Sequence, residues 1–129
     1  MDSKKILIVD DDPDFVESNK DLLEAQGYDV ITAATGESGL KAAIQERPDL
    51  MLLDVMMAHD TEGFEISRKI PEQPELGRMK VLLITGIRKA KELPYGFEPD
   101  KTWLPVDRVL EKPVPPEKLL EEIKRELNL

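Results

Sequence analysis

Cysteine is absent from the 129-residue chain and histidine occurs once. The first absence excludes disulfides, zinc–thiolate and iron–sulfur sites, and thiol catalysis. The second excludes a histidine-rich metal centre. Any metal must therefore be held by oxygen, which points to magnesium, manganese or calcium. Positive charge is also scarce: 18 Lys and Arg stand against 27 Asp and Glu, a formal net charge of −9. Affinity for a phosphate backbone comes mostly from Lys and Arg, so nucleic acid is not an expected partner. No apolar run approaches the roughly 20 residues that a bilayer span needs, so no membrane insertion is expected. The start reads Met1-Asp2-Ser3-Lys4-Lys5, four apolar residues, then acids, which is not a secretory pattern. The expected location is the cytoplasm.

What is present is enough for one core. Apolar residues make up 40% of the chain and charged residues 35%, which is too apolar for a disordered chain. The length fits one domain over residues 1–129. No repeat, low-complexity tract or inter-domain linker is visible, and no output domain is expected in this chain.

Five short apolar runs read as strands: Ile6–Val9, Val30–Ala33, Leu50–Leu53, Val81–Ile84 and Val106–Leu110. Helical patterns separate most of them, which predicts a parallel sheet with right-handed crossovers. Asp12 and Pro13 mark the start of a first helix with Phe15, Val16, Leu22 and Leu23 on one face, and Gly27 stops it. A second helix spans about Gly36 to Glu46, with Leu40, Ala43 and Ile44 inward and Pro48 beyond its end. A third begins near Gly63 and fails at Pro71. The last follows Pro115-Pro116, with Leu119, Leu120, Ile123 and Leu127 in a stripe.

Runs one, three and four are apolar throughout, so helices should cover both faces. Runs two and five are interrupted by polar residues and belong at the edges. The simplest arrangement is an α/β, flavodoxin-like three-layer sandwich, (βα)5, with strand order 2-1-3-4-5. The segment from Arg88 to Pro105 breaks the pattern. It carries Pro94, Pro99 and Pro105, and Tyr95, Phe97 and Trp103 among the chain's six aromatics. An irregular fourth helix with a long loop is expected there.

In open parallel sheets, ligands bind beyond the carboxyl ends of the strands. Asp10, Asp11 and Asp12 follow strand 1, Asp54 ends strand 3, Thr85 ends strand 4, and Glu111-Lys112 follow strand 5. Crowded carboxylates repel, and a hard divalent cation relieves that repulsion. A carboxylate beside such an ion can act as a nucleophile toward phosphorus. The transferred group then needs cations and donors around it, and Lys112 and Thr85 are of the right types.

The set Ile6-Leu7-Ile8-Val9-Asp10-Asp11-Asp12, Leu52-Leu53-Asp54-Val55-Met56-Met57, Leu83-Ile84-Thr85 and Leu110-Glu111-Lys112-Pro113 closely resembles the receiver domain of response regulators, which implies either a stand-alone, CheY-like protein or a domain excised from a larger regulator. The likeness spans essentially the whole chain. It implies that Asp54 is the phosphoacceptor. It implies that Asp11 binds the metal directly, that Asp10 is the other member of the acidic pair, and that the backbone carbonyl of Met56 is a further ligand. Thr85 matches the hydroxyl that follows the phosphoryl group. Lys112 matches the lysine that pairs with it, and Pro113 commonly follows through a cis bond. The implied cofactor is Mg2+, with Mn2+ an alternative. The implied reaction moves phosphate from a sensor histidine kinase or histidine phosphotransfer protein to Asp54, and the domain then slowly hydrolyses the product. A downstream protein target would read the result.

The sequence departs from the family at four places. Ala58 stands where a proline is usual, with Gly63 about one residue late, and Gly86 replaces a frequent alanine. Val109 stands at the switch aromatic, and the 94–105 segment is Pro-rich. Single features also have plain readings. Asp12 is a cap, His59 an exposed loop residue, and Arg88, Lys89 and Lys91 a solvated cluster. Met56 and Met57 are packing residues, and the aromatics at 95, 97 and 103 pack the irregular segment. Two other functions compete. One is a receiver-like interaction module acting without phosphorylation, which Val109 favours. The other is an aspartate-nucleophile phosphatase, which commonly has an acid two residues after the nucleophile, where Met56 stands. A flavin-binding protein of the same fold is weaker, because an acidic pair occupies the place of a phosphate cradle.

Overall fold

A computed structural model describes residues 4–54, 66, 68–86, 107–112 and 114–128. Strands β1 (Lys5–Val9), β2 (Asp29–Ala33), β3 (Leu50–Asp54), β4 (Lys80–Gly86) and β5 (Arg108–Lys112) form one sheet in the order 2-1-3-4-5. All four pairings are parallel. Three helices are described from end to end: α1 (Pro13–Ala25), α2 (Gly36–Glu46) and α3 (Pro116–Leu127). The expected architecture and strand order are those observed.

The all-apolar strands carry side chains to both faces, as the two-residue period of a strand requires. Leu7, Val9, Met51 and Leu53 pack with Ala43 of α2 on one side. Ile6, Ile8, Leu50 and Leu52 pack with Leu23 of α1 and with Leu119 and Ile123 of α3 on the other. Strands β1 and β3 are therefore enclosed, while β2 at the edge alternates between buried and open positions.

The helix ends follow local chemistry. The Asp12 carboxylate accepts from the amides of Asp14 and Phe15 at 3.1 and 3.4 Å, and Pro13 opens α1. After Ala25 the chain turns back with Tyr28 N donating to the Leu23 carbonyl, and Gly27 takes φ +93, where a side chain would be strained. In α2, Thr35 caps the amide of Ser38 and the Ser38 hydroxyl accepts from the Thr35 amide, a reciprocal pair. Gly39 lets α2 lie directly on β1: a Cβ there would meet the Val9 methyls at 2.7 and 2.8 Å.

Two expectations shift. Helical backbone at Ile66, Arg68 and Lys69 tightens into a 3-10 turn over Ile70–Glu72, so Pro71 sits inside a turn of helix that follows the α-helical residues. Strand five begins two residues later than the apolar run and extends through Lys112. Asp107 precedes this strand. Its carboxylate accepts from Val81 N at 2.7 Å and its amide donates to Val81 O, clamping the start of β5 to β4. Asp49 does the same before β3, accepting from Lys5 N at 2.8 Å. Glu111 and Lys112 thus lie in the strand and do not follow it.

The expected fourth helix and the residues Pro94, Tyr95, Phe97, Pro99, Trp103 and Pro105 lie outside the described residues. So do the expected start at Gly63 and the cluster Arg88, Lys89 and Lys91.

Candidate functional site

Parallel register assembles the site. Val9 of β1 is level with Leu53 of β3, so the next residues, Asp10 and Asp54, arrive side by side although 44 positions separate them. Asp54 continues the parity of Leu50 and Leu52, on the face that α1 and α3 cover. Asp10 is tied to its neighbours at both ends. Its amide donates to the Ala33 carbonyl at 3.1 Å, and its Oδ1 accepts from the Asp12 amide at 2.9 Å. Asp12 is committed to capping α1, as expected of it.

Asp10 and Asp54 are only 2% and 3% exposed, whereas Asp11 is open to solvent. One carboxylate oxygen from each of the three lies within 4.8 Å of the others. Two oxygens on opposite sides of a magnesium ion at about 2.1 Å would be roughly 4.2 Å apart, so the spacing fits one small hard cation after slight contraction. Three carboxylates this close repel strongly, and two are sheltered from water, so a divalent ion suits them better than dispersal into solvent. A cavity of about 280 Å3 opens beside them, lined by Asp10, Asp11, Pro13, Val16, Thr32, Ala33 and Ala34. Thr32 and Ala34 carried no chemical signal in the sequence; only the closeness of β2 to β1 brings them here.

On the other side, Asp54 pairs with Ile84 of β4. Thr85 is the next residue along that strand, opposite Glu111, and Lys112 is opposite Gly86. The backbone thus carries Thr85 and Lys112 past the level of Asp54 on consecutive strands. Val109 is partly buried against the core cluster that contains Leu83. The expected ligand at Met56, with Met57, Ala58 and His59, and Pro113 with its expected cis bond, lie outside the described residues.

Comparison with known proteins agrees with this fold. The model of the response regulator receiver domain matches residues 6–124. The alkaline phosphatase synthesis transcriptional regulatory protein PhoP of Bacillus subtilis is 35% identical over 122 residues, a match covering 95% of this chain and 48% of PhoP. The chain spans about half the length of such curated regulators. Among solved structures, the CheY-like receiver domain protein of Methanospirillum hungatei superposes with a TM-score of 0.76 at 36% identity, over 98% of this chain and 95% of that one. The receiver domain of the sensor histidine kinase PA1611 of Pseudomonas aeruginosa superposes with a TM-score of 0.83 over 99% of this chain and 100% of its own. That structure has a magnesium ion in its active-site cleft, and its 22% identity shows likeness of fold. With the family match running from the first strand into the last helix, the chain belongs to the response regulator receiver domains of two-component signalling.

Proposed function

We propose that Asp54 is the phosphoacceptor, and that a sensor histidine kinase or histidine phosphotransfer protein is the donor. The observation that carries this is the sheltered Asp54 carboxylate at the carboxyl end of β3, grouped with Asp10 and Asp11 within 4.8 Å. Asp10, Asp11 and Asp54, with the Met56 carbonyl, would hold Mg2+. Bound there, the ion would neutralise phosphoryl oxygens and hold the reacting groups in line. An oxygen of Asp54 attacks phosphorus, the bond from phosphorus to the donor nitrogen breaks, and the freed imidazole takes its proton from solvent. Thr85 and Lys112 then hold the phosphoryl oxygens. Slow hydrolysis of the aspartyl phosphate resets the chain, so it catalyses its own modification and is not a turnover enzyme. The single-domain reading over residues 1–129 and the cytoplasmic location belong to this proposal. Among the described residues no helix is long and apolar enough to cross a membrane.

The output is a change in binding to a protein target, driven by a population shift. Val109 favours a second reading for this step alone. It packs partly buried against the core, so it offers no large ring to swing between two positions. In that reading the fold serves as an interaction module that does not need phosphate.

The test is intact-protein mass after incubation with acetyl phosphate, with magnesium and with chelator. One magnesium-dependent phosphoryl adduct is expected, absent in Asp54→Asn. An adduct of equal yield on Asp54→Asn would overturn the assignment. If neither acetyl phosphate nor a phosphorylated histidine donor gives an adduct and beryllofluoride does not bind, the phosphate-independent module is the correct reading.

A further inference from the structure

At the opposite end of the strands, where they begin, the α2–β3 turn and a second 3-10 turn, Pro74–Leu76 before β4, line a cavity of about 400 Å3. That lies within the range of small-molecule sites, roughly 300–1,000 Å3. Its polar wall is Arg47, Asp49, Glu75 and Arg78, and its apolar floor is the buried pair Pro48 and Met79.

Three observations set it apart from an ordinary charged surface. First, two lysines at this end of the strands are paired, Lys5 with Glu46 at 3.3 Å and Lys80 with Asp107 at 3.8 Å. Among the described residues, neither Arg47 nor Arg78 has an ion-pair partner. Second, the acid beside them is committed: the Asp49 carboxylate accepts from the Lys5 amide at 2.8 Å and is anchored to the sheet. Third, Arg47 caps α2 with φ 48 and ψ 62, a left-handed conformation that glycine adopts with less strain. A strained backbone that holds a long cation over a cavity calls for a functional account.

We propose that this cavity binds a small oxyanion ligand, carrying phosphate or carboxylate groups, gripped by the guanidinium forks of Arg47 and Arg78. Planar guanidinium matches such groups with two parallel hydrogen bonds. Glu75, exposed on the same wall, limits the choice. It repels long polyanions and accepts a hydrogen bond from an ammonium or hydroxyl on the ligand. The site lies at the other end of the strands from Asp54, so it stands apart from the phosphoacceptor reading.

The test is an amide NMR titration of the whole chain with pyrophosphate and, separately, with citrate, at constant ionic strength and without magnesium. Saturable shifts confined to residues 47–49 and 74–79 are expected. A response to pyrophosphate alone identifies a phosphate ligand, and a response to citrate alone a carboxylate ligand. Arg47→Gly keeps the left-handed cap, so it should fold, and it should weaken binding about tenfold, as loss of one charge-assisted pair implies. Arg78→Ala should do the same, and Lys41→Ala, an exposed cation on α2, should change nothing. No saturable response to either probe would overturn the proposal. So would binding that survives both arginine changes, or that Lys41→Ala weakens equally. The magnesium-dependent adduct on Asp54 should be unchanged in Arg47→Gly, which separates failure here from failure of the phosphoacceptor assignment.

Discussion

Asp10, Asp11 and Asp54 bring three carboxylates within 4.8 Å of one another, a crowding of like charge that a bound cation relieves. Like charges about 4–5 Å apart cost roughly 3–4 kcal/mol per pair at an effective dielectric constant near 20, before screening. Asp54→Asn keeps the shape of the side chain and removes one charge. It should raise the metal-free folding stability by about 1–2 kcal/mol, a fraction of that Coulomb cost. It should also shrink the stabilisation that magnesium gives. Urea unfolding with and without magnesium measures both, and a metal-free midpoint that falls would show that the carboxylates do not strain the fold. Asp12 differs from its neighbours in kind. Its oxygen serves two amides of α1, so Asp12→Ala should lower stability by about 1 kcal/mol and leave magnesium affinity unaltered.

At the scale of elements, close contacts and backbone conformation decide the outcome. Helix α2 touches β1 through Gly39, and the atoms a Cβ would meet are the methyls of Val9, a stiff β-branched residue with no exposed surface. Overpacking of about 1–3 kcal/mol therefore outweighs the helix-propensity gain of about 1 kcal/mol in Gly39→Ala. A net loss is expected in thermal or urea unfolding. Val9→Ala should cost less in the Gly39→Ala background than in the native one, because it makes the missing room. Equal costs would mean that the two sites do not interact. Arg47→Gly acts in the opposite sense. Relief of the left-handed strain, about 1–2 kcal/mol, exceeds the added freedom of the unfolded chain, about 0.5–1 kcal/mol. Unfolding should therefore shift to higher urea.

For the whole molecule, the net charge of −9 opposes compaction, and part of that charge is concentrated at the carboxyl ends of β1 and β3. Raising sodium chloride at constant pH should raise the melting temperature by general screening. Magnesium chloride at equal ionic strength should raise it further, by about 2.7 kcal/mol of stability at a hundred times the dissociation constant. Asp11→Ala should remove the second increment and keep the first. If the two salts act alike on the native chain, the acidic cluster does not bind the ion.

Much of this was legible in the residues. The strand order followed from which runs are apolar throughout and which are interrupted, because only enclosed strands can be apolar on both faces. The caps Asp12 and Gly27 and the bounds of α2 followed from local chemistry that acts within a turn. Asp10, Asp11 and Asp54 stood out as candidates from their places after apolar runs, and the fold groups their carboxylates. The start of β5 did not, because Asp107 reads as an interruption until its carboxylate is seen bound to Val81. Asp49 gave no signal for the same reason: its partner, Lys5, is 44 residues away. The amino-acid sequence by itself determined the elements, their order and the acidic residue types, since these depend on periodicity and on near neighbours. Tertiary structure alone decided that Val9 and Leu53 are level, that three carboxylates converge within 4.8 Å, and that Arg47 and Arg78 share a cavity. Register and convergence are set by hydrogen bonds and packing between segments far apart in the chain, and no local pattern encodes them.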